Sequence, residues 1–444
     1  MTELKKGSTK LLNAWAFYDW ANSVYSLVIA SAIFPIFYSA LFIGHQNHIE
    51  FFGAQVKNSA LISFVTAAAF LLVAFISPLL SGIADYVGNK KSFMQFFCYL
   101  GAASCIGLYW FSLENILLGL FFYFSGLIGF WGSLVFYNSY LPDIAFPEQQ
   151  DKISARGYSL GYIGSVLLLV INLAMVMKPD LFGITAETEG AAAMKAMRYS
   201  FVMVGIWWIL FSQYTYYYLP KGNRDASKKV TRSIFFNGFR ELRGVWVQLS
   251  SNIRLKRYLG SFFVYSMAVQ TVMLVATYFG AQEIEWKDDS ESRTGLIVCI
   301  LLIQLVAVAG AVLTSRASAR FGNIPVLIAI NCFWVLLCAG AYFITQPIHF
   351  YVMAALVGLV MGGIQSLSRS TYSKLLPPTL DTASYFSFYD VSEKIGIVIG
   401  MSIYGLIDQI SGSPRFAIVF LGAFFITGIV LLNRIPKEAS NPEL

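Results

Sequence analysis

The sequence predicts an all-α membrane protein with twelve spanning helices in two pseudo-symmetric six-helix halves. Three observations carry this. Of 444 residues, 57% are hydrophobic and only 12% charged, against about 25% charged in soluble domains. Twelve runs reach the roughly 20 mostly apolar residues that a bilayer crossing needs. Landmarks in the first six runs recur in the last six at one shared offset.

The runs cover residues 14–43, 59–84, 93–113, 115–140, 154–177 and 199–219, then 258–281, 294–315, 325–345, 349–372, 384–409 and 416–433. After helix 2 comes "SGIADYVGNKKS"; after helix 8 comes "SRASARFGNIPV". Gly88 and Gly322 are 234 apart, Gly126 and Gly358 are 232 apart, and "GYIG" at 161–164 precedes "EKIG" at 393–396 by 232. The expected units are residues 1–219, a basic linker 220–257, residues 258–434 and a short tail 435–444. Within the linker Phe235, Phe239, Leu242, Trp246, Leu249 and Ile253 recur at helical spacing. That stripe reads as an amphipathic helix, lying on the inner membrane surface or packed on the bundle's cytoplasmic face.

Lysine and arginine set the expected orientation. With both termini in the cytoplasm, inner segments carry 23 of them and outer segments 7. The net charge of +7 is therefore mostly membrane orientation, and no nucleic-acid partner is expected. The first apolar run is too long for a cleaved signal peptide. Cys98, Cys105, Cys299, Cys332 and Cys338 lie in apolar runs and read as packing residues, while His45, His48 and His349 sit in or beside loops. Neither type forms a ligand pattern, so no metal and no cofactor is expected. The absence of GxxxxGK[ST] leaves no ATP site of that kind.

The polar residues inside the runs carry the functional reading. Asp19 sits in a helix whose surroundings are otherwise made for lipid. An acid at mid-helix costs about 2.5–3.5 kcal/mol on insertion scales, so it faces a cavity or a partner. Asp19, Asn22, Ser23 and Ser26 share one helix face. They form a stripe for solute or a coupling ion, or Asp19 ties helix 1 to Arg156 or Arg369. In helix 11, Asp390 and Lys394 are i, i+4 with the acid first, the favourable order for a pair. Glu393 points about 100° away; it is expected to lack that partner and to carry a proton, or else to bridge to the other half. Arg369 can hold a carboxylate or reach the inner surface. Between helices 2 and 3, Gly82, Asp85, Gly88, Lys90 and Lys91 form a candidate gate loop. Its glycines allow the turn, and Asp85 can face an arginine or the N-terminus of helix 11.

Six helices, a basic loop and six helices resemble the layout of the major facilitator superfamily. "YDWANS", "FYNSYLPDIAFPEQQDKISARGYSLGYIG", "GGIQSLSRS" and "YFSFYDVSEKIG" resemble the autophagy-related vacuolar effluxers within it. The diagnostic residues are Asp19 with Asn22, Asn138, Leu141, Pro142 and Asp143 with Ser154, Arg156 and Gly157, and Gln365 with Arg369. The resemblance implies a gradient-driven transporter, not an enzyme. It would export or exchange a small polar solute such as an amino acid, with a proton or other ion as coupling partner. Asn138 and Gln365 would join Asp19 and Arg369 on the pathway, and the protein would work as a monomer in a cell membrane. A lipid translocator, or a receptor or scaffold on the same fold, is the alternative. The sequence departs from the superfamily loop at Tyr86 and Asn89, and from the family pattern at Glu393 and Met401.

Overall fold

Each apolar run becomes one helix. The computed structural model describes residues 4–42, 48–51, 54–221 and 234–436. His45, the linker stretch 222–233 and the end of the tail from 437 lie outside the described residues. The spanning helices are α1 (Thr9–Ala40), α2 (Asn58–Val87), α3 (Lys90–Trp110), α4 (Ile116–Ile144), α5 (Pro147–Met177) and α6 (Glu189–Tyr218). They continue as α7 (Ile253–Glu283), α8 (Glu291–Phe321), α9 (Asn323–Ala341), α10 (Pro347–Leu375), α11 (Thr382–Ser411) and α12 (Pro414–Asn433). With an even number of crossings, both chain ends lie on one face of the bundle, called the terminal face below.

Several helices outrun their apolar cores. α6 begins ten residues before its run, where the Thr188 side chain accepts from the amide of Ala191. α5 begins at Pro147, with Glu148 in its first turn, both favourable at a helix N-terminus. Hydropathy marks only the part of a helix that meets lipid; capping chemistry sets its ends. Two local features have no apolar-run signature. α1 widens into a π-helix over Tyr25–Ala32, just before Pro35, which removes the amide that would bond Ser31. His48 is not in a loop: His48–Phe51 pairs antiparallel with Ala54–Lys57.

Most buried apolar residues fall into two large clusters, with a small third of Met175, Ile184 and Ala196. One gathers α1 to α6 and takes in Ala383; the other gathers α7 to α12, part of the linker helix and Tyr162. The seam between them pairs α2 with α11, and α5 with α8 and α10. The repeat is visible in the backbone: Gly88 and Gly322 end α2 and α8 with φ of 66° and 83°, conformations that suit glycine.

The linker helix (Ile234–Ser251) packs along α2. Its buried line is Val245 and Leu249, while Phe239 and Trp246 of the expected stripe are exposed. The packed face is thus rotated from the expected one. Gln248 accepts a hydrogen bond from the Tyr385 hydroxyl at 3.0 Å, and Trp246 meets Phe388 ring to ring.

Candidate functional site

Asp19 and Arg369 meet across the seam, both almost fully buried. Arginine carries five N–H groups in a fixed fork, and here each has an acceptor. Nη1 and Nη2 donate to Asp19 Oδ2 at 3.3 and 3.2 Å, and Nη1 also to Asn138 Oδ1 at 3.2 Å. Nε donates to Ser154 Oγ and Nη2 to the Ser154 carbonyl, both at 3.0 Å. The guanidinium lies over the rings of Tyr158 and Trp15 at 4.2 and 4.8 Å, a favourable setting for a cation. Tyr137 donates to Asp19 Oδ2 at 2.8 Å, and Trp15 Nε1 to the Tyr137 carbonyl at 2.9 Å, so α1 and α4 fix the acid together. Gly157 makes the room. A Cβ there would overlap Asp19 Oδ2 and stand 3.1 Å from Arg369 Nη2. Deeper in the seam, Tyr162 donates to Gln365 Oε1 at 2.7 Å.

Nearer the terminal face, two further clusters join the halves. Asp85 accepts from the amides of Ser384 at 2.7 Å and Ala383 at 3.3 Å. The residue before α11, Asp381, makes no side-chain cap of its own. A carboxylate of α2 therefore caps a helix of the other half, at the second and third amides where a local cap would bind. Lys90 bonds Asp143 and, at 2.5 Å, the hydroxyl of Thr382. Across the pseudo-symmetry axis, Asp151 in the first turns of α5 receives Lys374 at 2.6 Å, Asn323 Nδ2 at 2.9 Å and Ser318 Oγ at 3.0 Å. Lys91 reaches the carbonyl of Leu219 at 3.0 Å, and Gly82 is buried within α2. Among the described residues, side-chain hydrogen bonds between the halves occur only from the terminal face down to the level of Tyr162 and Gln365.

A fourth ionic group has all its charges on α11. Lys394 Nζ donates to Asp390 Oδ1 at 2.8 Å, as the spacing requires, and stands 3.6 Å over the Trp131 ring of α4. The expectation for Glu393 is corrected on both readings. It has a partner, and that partner is not in the other half: Lys394 Nζ donates to its Oε2 at 2.9 Å and Gln270 of α7 to its Oε1 at 2.6 Å. An ammonium on a four-carbon stem has three donors and swings to serve both carboxylates.

The predicted site residues thus sort into groups. Asp19, Asn138, Arg369 and Gln365 line the seam. Arg156 does not join them: it points outward one residue before Gly157 and bonds Asn13 of α1 at 2.5 Å. Asn22 is buried, and the rest of the stripe turns back on its own helix. Ser23 donates to Asn22 Oδ1 at 3.3 Å, and Ser26 to the Ser23 carbonyl at 3.0 Å. Composition did not single out Tyr137, Tyr158, Trp131, Gln270, Asp151 or Lys374. The repeat offset is a usable signal for the last two, because they occupy the helix ends that mirror the start of α11 and Asp143. Among the described residues no three His, Cys, Asp or Glu side chains gather as a metal site.

Comparisons with known proteins agree with this architecture. The sequence model of the family described as "Vacuole effluxer Atg22 like" matches residues 7–444. The chain is 30% identical to the uncharacterised MFS-type transporter YxiO of Bacillus subtilis (strain 168), over 98% of this chain and 97% of that one. It is 23% identical to autophagy-related protein 22-2 of Aspergillus oryzae, over 90% and 78%. Among solved structures, the E. coli fucose:proton symporter FucP superposes with TM-score 0.67 at 16% identity, covering 97% of this chain and 98% of that one. The human organic anion transporter MFSD10 does so with TM-score 0.67 at 12% identity, covering 95% and 99%. By the family match over residues 7–444 and the YxiO relative, the chain is a multi-pass membrane transporter and not an enzyme, and it belongs to the Atg22-like vacuole effluxer family of the major facilitator superfamily.

Proposed function

We propose that the chain exports or exchanges small polar solutes, amino acids in the first instance, by rocking its two halves about the seam. The observation that carries this is the one-sided distribution of bonds between the halves. Three ionic clusters close the terminal face, while no side-chain hydrogen bond among the described residues crosses at the opposite end. Alternating access needs such a closure to be breakable, and these contacts are polar and cross-half, so separation replaces them with water. The lysine and arginine bias puts the terminal face in the cytoplasm. The described state then faces outward, and the protein works as a monomer. The family description as an effluxer supports export. Buried charges on the seam and on α11 favour a polar cargo over an apolar one.

A solute screen tests the reading. A cargo binds the folded state and raises the melting temperature by mass action, about 2.7 kcal/mol at a hundredfold excess over Kd. Purified protein is heated with each amino acid in turn. Stabilisation by a subset, and counterflow of that subset in proteoliposomes, is expected. A folded protein that no amino acid stabilises or exchanges would remove amino acids as the cargo. Protease access to a C-terminal tag only from the cytoplasmic side checks the orientation.

A further inference from the structure

The cluster on α11 does not balance. Asp390 and Glu393 face one cation, Lys394, so the three carry a formal charge of −1 when all are ionised. The Asp19–Arg369 pair contributes none. Both Glu393 oxygens are held, by Gln270 and Lys394. Asp390 differs: Oδ1 is held by Lys394, while Oδ2 is buried with no hydrogen-bond partner among the described residues. The residue is 6% exposed, so that oxygen is shielded in the described state.

Among the described residues, no charge from another packed element acts on Asp390 or Lys394. From α7 comes the neutral amide of Gln270, and from α4 the Trp131 ring over Lys394. α2 carries Asp85 at the terminal face, and α12 carries Arg415, bound to Glu283 at the opposite face. The linker helix brings Trp246 and Gln248, against Phe388 and Tyr385. Lys394 and Glu393 are the charged groups that act on Asp390; Glu393 acts in turn on Tyr158 of α5 and on Tyr389.

We propose that Asp390 is the residue that takes up and releases the coupling proton, at Oδ2. This rests on the transporter reading and names the ion and the atom. The step is a protonation: the carboxylate takes one proton from water on the open side, an O–H bond forms, and no bond to carbon breaks. The proton lands on the one oxygen that has no donor to displace. Lys394 keeps its pair with Glu393, and the cluster becomes neutral. Protonating Glu393 would instead place a donor against the Lys394 ammonium or the Gln270 amide. The neutral cluster crosses between access states at low cost; the charged one does not.

Infrared titration of the purified protein reads this without a cargo. As the solution is acidified many carboxyl groups protonate, and among their C=O bands the wild type is expected to show one that Asp390→Asn lacks and that shifts in protein carrying 13C-carboxyl aspartate. Asp390→Asn should abolish the band and Glu393→Gln should retain it. If the Asn variant does not fold, Asp390→Glu should move the band out of the aspartate-labelled set. The proposal is overturned if Asp390→Asn removes no band, or if the band it removes is also lost in Glu393→Gln. Stabilisation of the wild type, but not of Asp390→Asn, by sodium chloride over choline chloride would make a metal cation the coupling ion and also overturn it. The titration and the amino-acid screen fail independently, since a proton site without an amino-acid response removes the cargo and leaves Asp390 in place.

Discussion

Arg369 and Lys394 are both cations buried in the membrane among carboxylates, yet the two sites are built in opposite ways. Arg369 meets an acid 350 positions away in the chain, and all five of its N–H groups have acceptors. Lys394 meets acids one and four positions away on its own helix and leaves Asp390 Oδ2 without a hydrogen-bond partner among the described residues. The first site spans the halves and is complete, so it must come apart whenever the terminal face opens. The second keeps its ion pairs on one helix, meets the other half through the Trp131 ring over Lys394, and is one positive charge short. A cross-half site can act as a lock, and an unbalanced local site can act as a carrier.

The largest expected effect tests the lock. Arg369→Met leaves Asp19 buried beside Tyr137 with no cation, and breaking a buried pair costs about 3–5 kcal/mol. The melting temperature should fall steeply. Asp19→Asn combined with Arg369→Met should recover much of the loss, since it removes the stranded charge. A double variant as unstable as the single one would mean that Arg369 stabilises through its rings and serine contacts, not through Asp19.

Gly157→Ala comes next. It keeps both charges but places a methyl group against the pair, and overpacking of this kind costs about 1–3 kcal/mol. Melting should show that loss, and a cysteine at buried Ser370 should become more accessible to a thiol reagent as the lock opens. Accessibility equal to that of the parent would place the strain outside the gate.

Asp85→Asn should act more weakly. A carboxylate at a helix N-terminus contributes about 0.3–1 kcal/mol, and a shift of 1.4 kcal/mol would change a population tenfold. Labelling at Ser370→Cys should therefore rise severalfold with little change in melting temperature. Unchanged labelling in a well-folded variant would reduce the α2–α3 loop to a turn.

The last test falls on the carrier. Glu393→Gln removes one of the two acids on Lys394 and leaves its pair with Asp390, so no buried cation is stranded, and a single hydrogen bond nets about 0.5–1.5 kcal/mol. Glu393→Gln should melt within about 1.5 kcal/mol of the parent. A loss as large as that of Arg369→Met would show that both clusters are structural and end the contrast.

The same contrast explains how much was legible in the sequence. The Asp390–Lys394 pair was readable because a helix places i and i+4 on one face whatever surrounds it. The pairing of Glu393 was misread because a lysine stem reaches beyond its own face, which spacing does not encode. For Asp19, spacing left two arginines open. The choice of Arg369 over Arg156 turns on which side of α5 faces the seam, and Gly157 supplies the gap there. The missed partners of Arg369, the rings of Tyr158 and Tyr137, sit among many aromatic residues in a chain with 25 tyrosines, so identity alone could not mark them.

By itself the sequence determined the twelve crossings, their grouping around a basic linker and the repeat. Lipid forces these: a crossing must be long, apolar and hydrogen-bonded within itself, and each condition is written locally. It also determined the two glycine turns at Gly88 and Gly322. Only the tertiary structure decided which buried charges meet, that Asp85 caps a helix of the other half, that the linker helix buries Val245 and Leu249, and that one oxygen of Asp390 has no partner among the described residues. Those outcomes depend on close approach between segments hundreds of residues apart. A buried charge takes whichever partner the packing brings within hydrogen-bond reach, and local pattern does not record that distance.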